Sequence, residues 1–274
     1  MTQTTSAADA MARSNANLVS YLRHVAVCAP DGSVRDCDGA LCFAGGHAYP
    51  GTYTNGVIRD EGRGARVAAS DVLEQAEHFF RPMRRGFAVW VRDDADADLE
   101  AACKTAGMFQ RPPVEGNPAI WYEGGPMAVA DLPGIDLRRI DDDVTRADYL
   151  RVVLGSYGME GLPRELAERV IFSKASIDDP RVAAFAAYRE GEVLGGCQVF
   201  VEHGVGGMQW GATLPAGRGL GIGKTLFKLC VNTAIEMGAT GLAGQASQMG
   251  LPLWQSVGFE VVGYYRRYLA KPPA

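Results

Sequence analysis

The sequence predicts an α/β chain, α+β in arrangement, built as two tandem domains of similar plan. Three observations carry that expectation. A length of 274 residues suits two domains of ordinary size. Strand-like runs alternate with amphipathic helical runs, and the loop-like Gly124-Gly-Pro-Met-Ala-Val-Ala-Asp-Leu-Pro-Gly134 divides them near the middle. The halves also echo each other. A strand at 87–91, a helix and Gly107-Met-Phe109 are matched about 150 residues later by a strand at 241–245, a helix and Gly258-Phe259. The expected organisation is a flexible terminus over 1–16, a first domain over 17–123, a linker over 124–134 and a second domain over 135–274.

The first domain opens with a helix over 17–27, because Leu18, Leu22 and Val25 fall on one side. A turn-rich stretch at 31–38 leads to short strands at 40–43 and 56–58. Ser70 is the expected N-cap of the next helix, with Asp71 in its first turn and Val72, Leu73, Ala76, Phe79, Phe80 and Met83 on its inner face. Phe87-Ala-Val-Trp-Val91 is a strand. Asp93, Asp94, Asp96 and Asp98 precede a helix that runs to Ala106 and stops at Gly107, and a strand at 119–122 closes the half.

The second half begins with a strand at 137–140. One helix follows with Leu150, Val153, Leu154 and Tyr157 inward, then another with Pro163 near its start and Leu166, Val170 and Ile171 inward. Strands at 181–189 and 192–201 are joined by Glu190-Gly191, a hairpin signal. His203-Gly-Val-Gly206 turns the chain into a strand at 208–214. A long helix then places Ile222, Leu226, Leu229, Cys230, Ala234 and Met237 on one face, and Gly238 stops it. A strand at 241–245, a short helix at 252–257 and a last strand to Leu269 complete the order.

Between strand and long helix lies Gly211-Ala-Thr-Leu-Pro-Ala-Gly-Arg-Gly-Leu-Gly-Ile-Gly-Lys-Thr225. Glycine at 219, 221 and 223 removes Cβ atoms where the chain turns into the helix. Consecutive N–H groups can then face outward at the positive end of the helix dipole, a place suited to phosphate groups. Spacing separates the phosphate loops. The nucleoside-triphosphate loop needs G-x-x-x-x-G-K-[ST]. Gly223-Lys224-Thr225 supplies its end, but Arg218 stands where the first glycine belongs, and no later apolar strand ends in Asp for magnesium. The dinucleotide pattern G-x-G-x-x-G fails at Lys224. What remains is Arg218-x-x-Gly221-x-Gly223. At the matching place the first half has Gly62-Arg-Gly-Ala-Arg-Val-Ala-Ala-Ser70, without alternating glycines, so one phosphate site per chain is expected.

Composition narrows the partners. Hydrophobic residues make up 47% of the chain, enough for a sizeable core. With 27 Lys and Arg against 32 Asp and Glu, the formal net charge is −5, which argues against nucleic acid or anionic membrane as partner. No run of about 18 apolar residues suggests a membrane span. The first residues, rich in Ser, Thr, Ala and Asn, lack the apolar core of a signal peptide, so a cytoplasmic setting is expected. The six cysteines are scattered in a chain too large to need a disulfide framework. Cys103, Cys197 and Cys230 read as small core residues. Cys28, Cys37, Cys42 and His47 form no C-x-x-C pair, and no metal is expected.

Arg218-x-x-Gly221-x-Gly223 resembles the [Q/R]-x-x-G-x-G signature of the GNAT superfamily of N-acetyltransferases. Ser247-Gln-Met-Gly-Leu-Pro-Leu-Trp-Gln-Ser-Val-Gly-Phe259 resembles the family's closing N-x-x-A-x-x-L-Y-x-x-x-G-F, with Ser247 for Asn, Gly250 for Ala and Trp254 for Tyr. On these two motifs, residues 135–270 resemble a complete GNAT domain, and the first half resembles the degenerate partner domain of tandem members. The resemblance implies two GNAT-like domains, each a mixed, mostly antiparallel sheet flanked by helices. It implies acetyl-coenzyme A, or another acyl-coenzyme A, as co-substrate, and direct transfer to the amine of a small molecule or peptide. The first domain would be a scaffold or part of the acceptor cleft, with a homodimer left open. The rival class is an acyl-coenzyme A-binding sensor without catalysis.

The resemblance also implies a site. Gly211, Ala212 and Thr213 would lie beside the thioester arm. The pyrophosphate would lie over the N–H groups of Gly219, Leu220, Gly221, Ile222, Gly223 and Lys224, with Arg218 and Lys224 adding charge. Ser247 and Trp254 complete the cofactor set. Acyl transfer asks for a neutral amine, donors for the oxyanion and a proton for the leaving thiolate. A splay between the fourth and fifth strands would expose such donors. The family's usual acid is a tyrosine; here Trp254 stands in its place, and an indole N–H is far too weak an acid. Ser247, Tyr264 and Tyr265 are the nearest substitutes. Ser247 reads equally as an N-cap of the following helix, and only one of the two tyrosines can face a cleft. Tyr157 and Glu160, between the first two helices, are the acceptor-side candidates. Glu202 and His203 sit at a hairpin tip, about 20 Å from the cofactor end of the strand, and read as surface turn residues.

Overall fold

The computed structural model describes residues 5–48, 53–63, 66–157 and 163–272, which fall into two compact units. The first comprises Met1–Ala119, Ala246–Gln248 and Val261–Ala274; the second comprises Ile120–Gln245 and Met249–Glu260. Each is a mixed, mostly antiparallel sheet flanked by helices. The stretch expected as one domain over 135–274 therefore gives its last strand to the first unit.

The chain starts with helix α1 (Ala7–Cys28), strands β1 (Gly32–Cys37), β2 (Ala40–Gly45) and β3 (Asn55–Arg59), helix α2 (Ala69–Phe80), strand β4 (Phe87–Arg92), helix α3 (Ala97–Thr105) and the short strand β5 (Phe109–Gln110). Helix α1 begins well before the expected residue 17. Ser6 caps it by accepting the Asp9 N–H at 3.2 Å, and Ala10 and Met11 are fully buried. Residues 7–16 are thus core, not a flexible tail. Ser70 lies inside the first turn of α2, where its hydroxyl donates to Asp71; the N-cap is Ala68, so the expected cap moves two residues back.

Next come β6 (Asn117–Tyr122), β7 (Asp136–Arg139), α4 (Asp143–Tyr157), α5 (Arg164–Leu166) running into a π-helical turn (Ala167–Ile171), and α6 (Lys174–Ile177). The remainder is β8 (Val182–Arg189), β9 (Glu192–Glu202), β10 (Val205–Thr213), α7 (Ile222–Glu236), β11 (Gly241–Gln245), α8 (Leu251–Ser256) and β12 (Glu260–Ala270).

In the first unit the strand order is β1-β2-β3-β4-β12, antiparallel except for the β3–β4 pair, with β5 also on β12. Strand alternation divides its core into two layers. Val89 and Val91 of β4 pack with Val72, Leu73 and Phe80 of α2, while Trp90 packs with Met11, Leu18 and Leu22 of α1. The acidic run before α3 has a structural task. Arg59, 1% exposed, donates to Asp96 at 3.0 Å and to both oxygens of Asp98 at 2.8 and 2.7 Å. Arg92 donates to Asp96 through Nε at 3.0 Å and to Glu61 at 2.9 Å. Burial alone would raise the Asp96 carboxyl, but hydrogen bonds from Arg92 and Arg59 hold it low; those from Arg59 and Arg66 lower Asp98 as well.

In the second unit the order is β6-β11-β10-β9-β8-β7, antiparallel from β7 to β10 and parallel between β10 and β11. Ile222, Leu226, Cys230 and Ala234 are buried on α7 as its period predicts, whereas Leu229 and Met237, expected on the same face, are only half-buried. Glycines in the strands let both helix layers come close. A Cβ on Gly206 would lie 2.8 Å from Ala234 Cβ, and one on Gly196 would lie 2.4 Å from the ring of Tyr149 in α4.

Candidate functional site

The site is built on an irregularity in β10. Pairing with β9 holds to Gln209↔Gln198, slips, and resumes at Ala212↔Gly196, so β10 carries one residue too many across Trp210 and Gly211. Trp210 takes the left-handed region at φ 50°, uncommon for a large side chain. On the other edge, parallel pairing with β11 ends at Met208↔Gly244. The two strands therefore part just before residues 211–213. Leu214 N–H donates to the Leu194 carbonyl at 2.8 Å. By the alternation of an antiparallel ladder, the N–H and C=O of Thr213 then turn away from β9, toward the open edge.

The bulge has two unlike faces. Toward α7, a Cβ on Gly211 would lie 2.6 Å from the Phe227 ring, and Phe227 stacks on Trp254 of α8 with centroids 4.2 Å apart. Toward α4, Tyr149 Oη donates to the Trp210 carbonyl at 3.2 Å and Tyr157 Oη to the Gly211 carbonyl at 2.9 Å. The Trp210 ring meets Tyr157 and Phe172 edge to face at 5.5 and 5.6 Å. Sequence reasoning missed Trp210 and Tyr149. The available signal was a glycine directly after a large aromatic inside a strand, a common mark of a bulge.

Beyond β10 the chain makes a 3₁₀ turn over Pro215–Gly217, and Gly219 and Gly221 take positive φ of 76° and 78°. Gly221 is the N-cap of α7, and no side chain caps it. The Thr225 N–H bonds the Gly221 carbonyl at 3.0 Å, so those of Ile222, Gly223 and Lys224 come too early to meet a carbonyl of their own helix. Arg218, Gly219, Gly221 and Lys224 are exposed, Leu220 and Gly223 half-buried, and Ile222 is turned into the core. A Cβ on Gly223 would lie 3.2 Å from Leu253 Cδ2 and 3.3 Å from Thr213 Oγ1. Loop, strand end and α8 thus meet. Gly211, Ala212, Thr213, the 218–224 loop and Trp254 form one neighbourhood in the second unit.

Tyr265 is 0% exposed in the core of the first unit, edge to face with Trp90, and its hydroxyl donates to Asn15 Oδ1 at 3.4 Å. Burial pushes that phenol up. It is a packing residue. Tyr264 is half-buried, and its N–H donates to Asp93 at 2.7 Å. Ser247 is exposed, but Gly250, not Ser247, is the N-cap of α8. Glu160 lies outside the described residues. Glu202 stands at the β9–β10 turn, ion-paired with Arg181, and His203 beside it has φ 55°. Among the described residues no group of three His, Cys, Asp or Glu could hold a metal ion. Burial pushes the Cys103 thiol up to about 12.

Residues 148–259 match the model of the acetyltransferase (GNAT) family. No curated protein matches the sequence. Among solved structures, a GCN5-related N-acetyltransferase from Kribbella flavida superposes with TM-score 0.69 at 15% identity, over 95% of this chain and 96% of that one. One from Sphaerobacter thermophilus gives 0.59 at 15% identity, over 99% and 95%. A tandem GNAT protein from the clavulanic acid biosynthesis pathway gives 0.60 at 14% identity, over 98% of both chains. At these identities the likeness is one of fold. No helix among the described residues is long and apolar enough to cross a membrane.

Proposed function

From the match of residues 148–259 to the acetyltransferase (GNAT) family model, we propose that the chain transfers an acyl group, acetyl in the simplest case, from coenzyme A to the amine of a small molecule or peptide. The observation that carries this is the bulge at Trp210 and Gly211, placed where β10 leaves β11 and just ahead of the uncapped start of α7. Acetyl-coenzyme A supplies the acyl group as a thioester. The chain's part is to hold and orient it.

The free N–H groups at the start of α7, with Arg218 and Lys224, suit a pyrophosphate. The open edge of Gly211–Thr213 suits an amide-bearing arm and could offer an N–H to a developing oxyanion. Tyr157, whose hydroxyl donates to the Gly211 carbonyl, stands against the bulge from the α4 side. We assign Tyr157 and Trp210 to the acceptor side, with Glu160 as the expected companion after α4. The acid remains Ser247 or none, since a thiolate is a weakly basic leaving group. The first unit, without a counterpart of the glycine loop, is assigned a supporting role.

Calorimetry with acetyl-coenzyme A should show micromolar binding, and an amine panel should release free thiol. Folded protein that gives no heat sinks the proposal. A second reading, an acyl-coenzyme A sensor, draws on Trp254 at the position of the usual acid, 7% exposed and stacked on Phe227. Binding without thiol release for every amine would select it.

A further inference from the structure

The stretch expected as a linker is fastened along α7. At one end, Asn232 takes both backbone groups of Met127: its Oδ1 accepts the N–H at 2.7 Å and its Nδ2 donates to the carbonyl at 2.8 Å. One turn toward the start of the helix, Lys228 Nζ donates to the Ala128 carbonyl at 2.9 Å. At the other end, Leu132-Pro133-Gly134-Ile135 forms a tight turn. The Ile135 N–H donates to the Leu132 carbonyl at 2.9 Å, Pro133 holds the second position, and Gly134 at φ 74° supplies the third, the pattern of a type II turn. The Leu132 side chain lies 3.3 Å from the point a Cβ of Gly221 would occupy.

The lengths agree. From Asn232 back to Gly221 the helix rises about 16 Å at 1.5 Å per residue. From Met127 to Leu132 a fully extended chain spans about 17 Å at 3.3–3.6 Å per residue. The segment is a strap fixed at both ends that sets Leu132 beside the glycine where α7 begins.

We propose that this strap is a wall of the cofactor site, and that Leu132 is the apolar contact for the adenosine end of coenzyme A. The inference rests on the reading of the 218–224 loop as the pyrophosphate site. From a pyrophosphate held there, the pantetheine arm leads toward β10 and the adenosine leads the other way. The purine is the flat apolar part of that other arm. Leu132 is half-buried, so it has surface left to offer. Asn232 then acts at a distance, as a positioning residue that holds the strap in place.

The test compares two ligands on the full chain by calorimetry: coenzyme A, and 4′-phosphopantetheine, which lacks the adenosine. Leu132→Ala should weaken coenzyme A about tenfold, equal to about 1.4 kcal/mol, and leave phosphopantetheine unchanged. Asn232→Ala should weaken coenzyme A in the same selective way, although its side-chain hydrogen bonds go to the strap. A thermal melt of each variant confirms folding. Equal weakening of both ligands would overturn the adenosine contact, and wild-type coenzyme A affinity in both folded variants would overturn the strap's role. Failure of the wild type to bind coenzyme A would instead sink the proposed function, a distinguishable outcome.

Discussion

Replacing the three loop glycines one at a time by alanine should separate backbone strain from crowding. Gly219 has φ 76°, and nothing lies within 4 Å of where its Cβ would be. Gly219→Ala therefore meets only the left-handed penalty of about 1–2 kcal/mol. A smaller gain of about 0.4–1 kcal/mol from the stiffer unfolded chain offsets part of it. The net loss is about 1 kcal/mol. Gly221, at φ 78°, bears the same penalty and also faces Leu132 Cδ2 at 3.3 Å, so Gly221→Ala should lose about 1–2 kcal/mol. Gly223 is helical without positive φ. Alanine there gains about 1 kcal/mol of helix propensity, spent against Leu253 and Thr213 at 3.2 and 3.3 Å. Its stability should stay within about 1 kcal/mol of wild type, while the pressure on Thr213 weakens acetyl-coenzyme A binding. Urea unfolding at fixed pH gives the stabilities and calorimetry the affinities. Gly219→Ala as stable as wild type would refute the left-handed loop. A loss above about 2 kcal/mol in Gly223→Ala would refute the direction assigned to its Cβ.

The buried ion network of the first unit yields two more expectations. Asp96 is 2% exposed and serves two buried arginines, so Asp96→Ala should cost about 3 kcal/mol; Asp98, 48% exposed, should cost about 1 kcal/mol, both read by urea unfolding. Both carboxyls are lowered in the fold, so their stabilisation is complete above the ordinary aspartate value of about 3.9 and is lost as pH falls below it. Wild-type stability should drop steeply under acid, and the drop should be shallower in Asp98→Ala. Tyr157→Phe removes the donor to Gly211 and should cost about 1 kcal/mol. Its acetyl-coenzyme A affinity should hold while kcat/KM for the amine falls; a matching loss of cofactor binding would move Tyr157 out of the acceptor side.

The parts legible in the sequence were those written in local period and spacing. The α7 face, the Glu190-Gly191 hairpin and the Arg218-x-x-Gly221-x-Gly223 loop each follow from neighbours within a few residues. What escaped depends on partners far along the chain. Residues 7–16 are polar enough to read as a tail, yet Met11 is buried against Leu41, Trp90 and Tyr265. Asp96 and Asp98 look like a helix leader until Arg59, nearly forty residues earlier, is folded onto them. The strap at 127–132 is flanked by the Gly and Pro of a linker, Gly125-Pro126 and Pro133-Gly134, and its hold comes from Asn232 and Lys228 on another element.

The last strand bears most directly on mechanism. Alternation along 264–268 announces that neighbouring tyrosines face opposite ways, but not which sheet they join. β12 pairs with β4, Tyr265↔Arg92 through Ala270↔Phe87, and both of its faces are covered within the first unit: Tyr265 lies in the layer under α1 and Tyr268 in the layer under α2. A tyrosine so placed cannot deliver a proton to a thiolate. Trp254, stacked on Phe227, offers only an indole N–H, too weak an acid to serve instead. If the chain turns over, its rate should therefore depend on how well the bulge at Trp210 and Gly211 orients amine and thioester, more than on proton delivery. Solvent deuterium should then change kcat little, whereas Trp210→Ala, which removes one wall of the acceptor side, should lower it strongly. A large solvent isotope effect that disappears in Ser247→Ala would reverse that order and return the acid to Ser247.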